Sequence, residues 1–208
     1  VVFKESLEKY GARVKTISKK KTSYKSYKKV SNHLSKPLIH SATNLMNESD
    51  NLSAELFIKS IGALDTLPGT WKVGLDSIKS FLAKEVLIDT SNIIRADASG
   101  VSRYNLTSAA QLNSLLKWMY NSEYKDDFVS TIPGGGWKNS TLEKRLIDEG
   151  DLVKAKTGGL SGVRNLAGYL KSRKYGDVAF SILMNGYTDS SSRYTRIHDQ
   201  IVKTVIYD

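Results

Sequence analysis

Ser49-Asp50-Asn51, in NESDNLSAE, and Lys156-Thr157-Gly158, in DLVKAKTGGLSG, are the places in this chain where residue types and order could do chemistry. Between them they offer hydroxyls, a carboxamide that both donates and accepts, a lysine cation, and a glycine that lets a ligand come close to the backbone. Acyl transfer at a carbonyl uses groups of these kinds. Each tripeptide alone is a weak signal, since a given three-residue string occurs by chance in roughly one chain in twenty of this size. Asp50 or Asn51 also reads as a plain helix N-cap before LSAELFIKSIG, and Lys156 as a surface lysine on a strand.

The elements that would have to position these groups can be read from periodicity. FKESLEKYG reads as a short helix closed by Gly11. Leu52, Leu56, Ile58 and Ile61 recur at helical spacing, with Gly62 as the expected stop. WKVGLDSIKSFLAKEV places Leu75, Ile78, Phe81, Leu82 and Val86 on one helical face. Thr107 or Ser108 caps a further helix whose stripe is Leu112, Leu115, Leu116 and Met119. After IPGGGW the period shortens to two. Val153, Ala155 and Thr157 alternate with Leu152, Lys154 and Lys156, as in a strand with one apolar face. NLAGYLK and VAFSILM follow as two more strands around the turn-rich SRKYGD, and the near-continuous apolarity of VAFSILM predicts a central strand. A last helix starts near Ser191, with Tyr194, Ile197, Ile201 and Val205 as its stripe. Helices, then an antiparallel meander, then a helix make an α+β domain.

The chain has 208 residues, no cysteine and a formal net charge of +10. The missing cysteine excludes disulfides, thiolate catalysis and cysteine-based zinc sites. His33, His40 and His198 are scattered without ligand spacing, so no metal is expected, and no cofactor is implied. No run reaches the roughly 18 apolar residues of a membrane span, and VVFKESLEKYG is too charged for a signal peptide. Residues 13–36 carry nine lysines and arginines and no acid. Such a block could attract an anionic polymer, but it reads more simply as a solvated loop or a lysine-guarded strand edge. Lysine without interleaved base-stacking aromatics argues against nucleic acid, although Tyr24 and Tyr27 lie within the block. Trp71, Trp118 and Trp137 read as core or rim aromatics, and Gly134-Gly135-Gly136 lacks the Gly-Lys-Ser/Thr that would follow in a phosphate loop.

Order and surroundings add what the tripeptides lack. HLSKPLIHSATNLMNESDNLSAELFIKSIG, DASGVSRYNLTSAAQLNSLL, IPGGGWKNSTLEKRL and VKAKTGGLSGVRNLAGYL together resemble the conserved blocks of the D-alanyl-D-alanine carboxypeptidase/endopeptidase family of low-molecular-mass penicillin-binding proteins (class C, peptidase family S13). Ala98, Val101 and Ser140 depart from the family pattern. The resemblance runs from about Phe3 to the C-terminus. It implies a partial penicillin-binding-protein/β-lactamase-like transpeptidase domain, with 1–36 as the end of an inserted domain and linker and 37–208 as the C-terminal part of the catalytic domain. It also implies an exported protein of the periplasm or cell envelope.

By that resemblance, Ser49 relays a proton toward the departing D-alanine nitrogen, and Asn51 holds the substrate amide or a lysine of the third motif. Lys156 supplies positive charge and Thr157 a hydroxyl for the substrate carboxylate. Gly158 permits close approach, and the Gly159 amide forms half of an oxyanion hole. Asp97, Ser99 and Arg103 would form a turn-and-ion-pair cluster supporting the cleft. The ligands implied are peptidoglycan stem peptides ending in D-Ala-D-Ala, and β-lactams. The family's nucleophile sits in a Ser-x-x-Lys motif on an apolar helix, in a chain about twice as long. Such strings occur here, among them Ser6–Lys9, Ser18–Lys21, Ser26–Lys29 and Ser114–Lys117. None of the first three opens an apolar helix, and Ser114 lies downstream of Ser49, in the wrong order. The expectation is a C-terminal half that is inactive alone and needs an N-terminal half or a second copy of itself. The competing readings are a catalytically dead relative that holds cell-wall peptides and a polyanion-binding module.

Overall fold

The computed structural model describes residues 2–18 and 32–208. Most of the lysine block, with Tyr24, Tyr27 and the Ser26–Lys29 string, lies outside the described residues. The chain divides into two compact units, Val1–Ser35 and Lys36–Asp208. In the first, α1 (Val2–Lys9) ends as its sequence predicts. Gly11 takes φ +86, Gly11 N donates to the Glu8 carbonyl and Ala12 N to the Leu7 carbonyl, which satisfies the orphan carbonyls of the last turn. Ser6 and Lys9 both belong to this helix, none of whose residues is buried.

The second unit begins with α2 (Leu38–Glu48), α3 (Asn51–Asp65) and α4 (Trp71–Lys84). Helix α2 was not legible as a helix: Pro37 stands at its N-cap position with no side-chain cap, and no residue in it is fully buried. Helix α3 starts on Asp50, whose carboxylate accepts from Leu52 N at 3.1 Å and Ser53 N at 3.3 Å. It does not stop at Gly62 but runs on to Asp65, and Gly62 is a packing residue. A Cβ there would lie 2.7 Å from the Thr70 carbonyl, and one at Gly74 would collide with the Ile58 carbonyl, so α3 and α4 cross nearly backbone to backbone. Ile58 is buried in that crossing, whereas Leu52 and Leu56, expected in the core, are exposed.

Helix α5 (Ala109–Tyr120) opens with a capping box in which Ser108 and Gln111 satisfy each other's backbone amides. A short α6 (Lys125–Thr131), not anticipated from the sequence, follows it. The three strands are β1 (Val153–Leu160), β2 (Val163–Ser172) and β3 (Gly176–Asn185), antiparallel in the order β1-β2-β3. The central strand is therefore β2, and VAFSILM lies in an edge strand. Its apolarity has a different cause, because both of its faces are covered. Val178, Phe180 and Ile182 pack on the cluster that contains Val202 and Ile206 of α7 (Ser191–Tyr207), while Ala179 packs on the cluster of Leu116, Ile132 and Tyr169. In α7 the buried positions are His198, Val202 and Ile206, one residue along from the expected stripe, with Ile201 exposed. A histidine in the core register conceals the true phase of that helix. No helix among the described residues is long and apolar enough to cross a membrane.

Candidate active site

Ser49 occupies the elbow between α2 and α3. It is the C-cap residue of α2 and takes φ 58, ψ 46, a left-handed conformation that turns the chain from one helix into the next. Two neighbours hold the elbow. Asp50 caps the new helix, and the Asn47 side chain donates to the Thr43 carbonyl at 2.8 Å. Met46, on the same helix, packs on the cluster formed by Leu116, Ile132 and Tyr169, which anchors α2 toward the sheet. Tyr169 is itself fixed by a 2.8 Å hydrogen bond from its hydroxyl to the Leu116 carbonyl, and burial pushes its pKa up to about 12.

Lys156 lies on β1 and is half-buried. Its Nζ donates to Ser49 Oγ, from a residue 107 positions away in sequence, and to its neighbour's carbonyl, Thr157 O, at 3.0 Å. Burial lowers the Lys156 pKa. The two tripeptides therefore meet. Asn51 is the first residue of α3 and is exposed beside Ser49, with its side chain unused by any hydrogen bond among the described residues.

The strand edge at this point is open. Ala155 N donates outward to the Pro133 carbonyl at 3.0 Å, and Gly134 bridges Lys154, so the first half of β1 is flanked by the 133–136 segment. Backbone donors along a strand alternate in direction, so the amides of Thr157 and Gly159 point to the same outer edge. Neither meets a backbone acceptor there among the described residues. The three glycines of IPGGGW serve this flanking segment. Gly134 and Gly135 are buried, and a Cβ on Gly135 would strike the Leu146 carbonyl. A Cβ at Gly158 would meet the Asn165 Cβ at 3.5 Å, an ordinary contact, so the chain's own packing does not require glycine there.

The Asp97 cluster is a turn without an ion pair. Asp97 accepts from Gly100 N, Ser102 N and Asn105 Nδ2, while Arg103 donates instead to the Ser161 carbonyl at 2.8 Å, in the β1–β2 turn. Glu55 of α3, which no motif marks, accepts from the backbone amides of Ala98 at 3.2 Å and Ser99 at 2.9 Å and ties this loop to the helix that follows Ser49. Ser114 lies exposed on α5 and Ser18 in coil. Of the histidines, His33 and His40 are exposed and His198 is buried. No cluster of metal-ligating side chains occurs among the described residues. A larger cleft, about 990 Å³, lies between the 93–107 loop, α5 and the β1–β2 turn, and Leu82, Ile88, Ile93 and Leu115 form part of its apolar wall.

Solved structures share this arrangement of helices and sheet. Penicillin-binding protein 4 of Haemophilus influenzae, crystallised with a β-lactam, superposes with a TM-score of 0.76 at 29% identity over 85% of this chain and 43% of its own. The TLA-3 extended-spectrum β-lactamase shares the fold at 22% identity, with a TM-score of 0.58 over 80% of this chain and 62% of its own. The fold is thus of the penicillin-binding-protein and β-lactamase class.

Within that class, the model of the D-Ala-D-Ala carboxypeptidase 3 (S13) family matches residues 1–205, and the chain belongs to that family. D-alanyl-D-alanine carboxypeptidase DacB of Haemophilus influenzae is 34% identical over 75% of this chain and 33% of its own length. The D-alanyl-D-alanine carboxypeptidase of an Actinomadura species is 32% identical over 90% of this chain and 36% of its own. The chain therefore spans about a third of the length of the curated relatives it matches.

Proposed function

We propose that this chain is the motif-bearing C-terminal portion of a serine-type D-Ala-D-Ala carboxypeptidase/endopeptidase that acts on peptidoglycan peptides through an acyl-enzyme. One observation carries the reading: Lys156 Nζ donates to Ser49 Oγ across 107 residues of sequence. A cation held against a serine hydroxyl orients that hydroxyl's lone pair toward itself and leaves its proton free to pass to a leaving amine. Asn51 stands at the same elbow, where its carboxamide can hold a substrate amide or the lysine of a Ser-x-x-Lys motif. Thr157 and the outward amide of Gly159 line the strand edge, where one would grip a carboxylate and the other an oxyanion. Gly158 keeps that edge free of a side chain.

Turnover needs a nucleophile, which this proposal assigns to a Ser-x-x-Lys motif on a complementary N-terminal half. Residues 1–36 would then be the end of an inserted domain and linker, and residues 37–208 the C-terminal part of the catalytic domain. The substrate class places the work in the periplasm or cell envelope, with β-lactams as the covalent inhibitors.

Two measurements test the proposal. Labelled penicillin should give no stoichiometric adduct with this chain alone, because the proposal assigns the attacking hydroxyl and half of the oxyanion hole to the complementary half. An adduct would move the nucleophile onto a serine of this chain. A peptide ending in D-Ala-D-Ala should bind non-covalently, lose about tenfold in affinity on Lys156→Ala, and depend only weakly on salt. Binding that falls steeply with salt and ignores Lys156 would instead mark a polyanion-binding surface.

A further inference from the structure

Gly159 and Arg164 face each other directly across the β1–β2 pair, and Thr157 faces Leu166 on the next rung but one. Side chains two apart on a strand share a face, so Thr157, the missing side chain of Gly159, and Arg164 lie together on one side of the hairpin. The contact is tight: a Cβ built on Gly159 would collide with Arg164 Nη1, and Cζ of the same guanidinium lies 3.0 Å away. The guanidinium therefore occupies the volume that any other residue at 159 would fill.

The setting of that guanidinium is unusual. Arg164 is half-buried, and its Nη2 donates to Ser191 Oγ at 3.0 Å. Its Nε is buried and has no hydrogen-bond partner. Arg164 forms no ion pair among the described residues. It lines a pocket of about 400 Å³ together with Gly159, Ser161, Tyr187, Asp189 and Ser191. Asp189, the acid in that pocket, is turned to Arg193 Nη1 at 3.3 Å and to the Tyr194 hydroxyl. His198 adds no competing positive charge, since burial and then the charge of Arg145 favour its neutral form. A planar cation with spare donors, held beside a strand edge without a carboxylate of its own, is suited to a carboxylate that arrives with a ligand.

We propose that Arg164 is a substrate-binding and specificity-determining residue. It takes the free α-carboxylate of the residue on the leaving side of the scissile bond, jointly with the Thr157 hydroxyl, and Gly159 is glycine in order to admit it. The inference rests on the function proposed above and deepens it, since Lys156 approaches the strand from the other face. Two cations flanking one strand edge would separate a free carboxylate from an amide or ester of the same shape. The ligand class is any peptide whose leaving residue carries a free α-carboxylate, whether it is a chain terminus or the end of a cross-link.

The experiment uses this chain with acetyl-D-Ala-D-Ala, its C-terminal amide, and sodium acetate as probes. Affinity is read by titration, and the Arg164 Nε–Hε signal is followed by nuclear magnetic resonance. The acid should bind about 10- to 100-fold more tightly than the amide and move the Arg164 signal. Arg164→Gln should bring the two forms to near equality, and Arg164→Lys should restore only part of the preference. Gly159→Ala, which leaves the arginine in place but denies it the slot, should lose the preference as well. It serves as the second variant should the first fail to fold.

A preference for the acid that survives both Arg164→Gln and Gly159→Ala would overturn the role of Arg164 and leave the peptidase reading intact. If neither peptide binds while acetate saturably moves the Arg164 signal, the peptidase reading falls and the carboxylate subsite stands. If no probe moves the signal, both fall.

Discussion

Burial holds the Lys156 ammonium below the ordinary lysine range, and the cost of that burial is borne while the group is charged. The folded pKa lies below the unfolded value of 10.5, so the charged form is disfavoured by folding. The resulting penalty is present at neutral pH and is relieved as pH rises from the folded pKa toward 10.5. The attraction for an anionic ligand runs the other way: it is full below the folded pKa and lost as pH rises through it. Affinity for a D-Ala-D-Ala peptide should therefore fall at alkaline pH with a midpoint below 10.5, matching the Lys156 Cε titration followed by nuclear magnetic resonance. A midpoint at or above 10.5 would show that the lysine is not desolvated in the way its contacts indicate. The motif marks Ser49 and Asn51 as candidates, whereas nothing local marks Glu55 or Arg164. An acid inside a helix and an arginine on a strand carry no local mark of what they reach, and only register and packing reveal it.

At the scale of elements, the site depends on α3 keeping its position, because Asp50 and Asn51 begin that helix. The α3–α4 crossing fixes it through Gly62 and Gly74, which the two backbones approach too closely for any side chain. Gly74→Ala should force the helices apart and destabilise the protein by about 1–3 kcal/mol, as overpacking does. Urea unfolding measures this, and an unchanged midpoint would contradict the close crossing. From sequence, Gly62 resembled a helix stop because an isolated glycine near a periodic stretch usually is one. What it touches belongs to the next helix. The same limit applies to α7, where the hydrophobic phase was displaced by one residue because His198 occupies a core position.

For the whole molecule, the balance of covered and uncovered surface is the informative quantity. The free side of β3 has no strand partner among the described residues, and Leu52, Leu56, Leu64, Leu67 and Trp71 are exposed on or beside α3 and α4. An unpaired strand edge and a run of exposed apolar side chains favour association. The chain should self-associate, or be held monomeric only by a complementary segment, and light scattering across a concentration series measures this. A clean monomer that unfolds cooperatively would count against the need for a partner.

The α+β order of elements, the capping of α3 and α5, the three-stranded meander and the family are legible in the amino-acid string, since local periodicity, caps and motif order are written in neighbouring residues. The string leaves open whether Ser49 and Lys156 belong to one site, which strand is central, and what fills the space at Gly159. Those depend on contacts between residues far apart in the chain. A hydrogen bond across 107 positions, a strand covered on both faces while lying at an edge, and a guanidinium in the place of a side chain exist only once helices and sheet have packed.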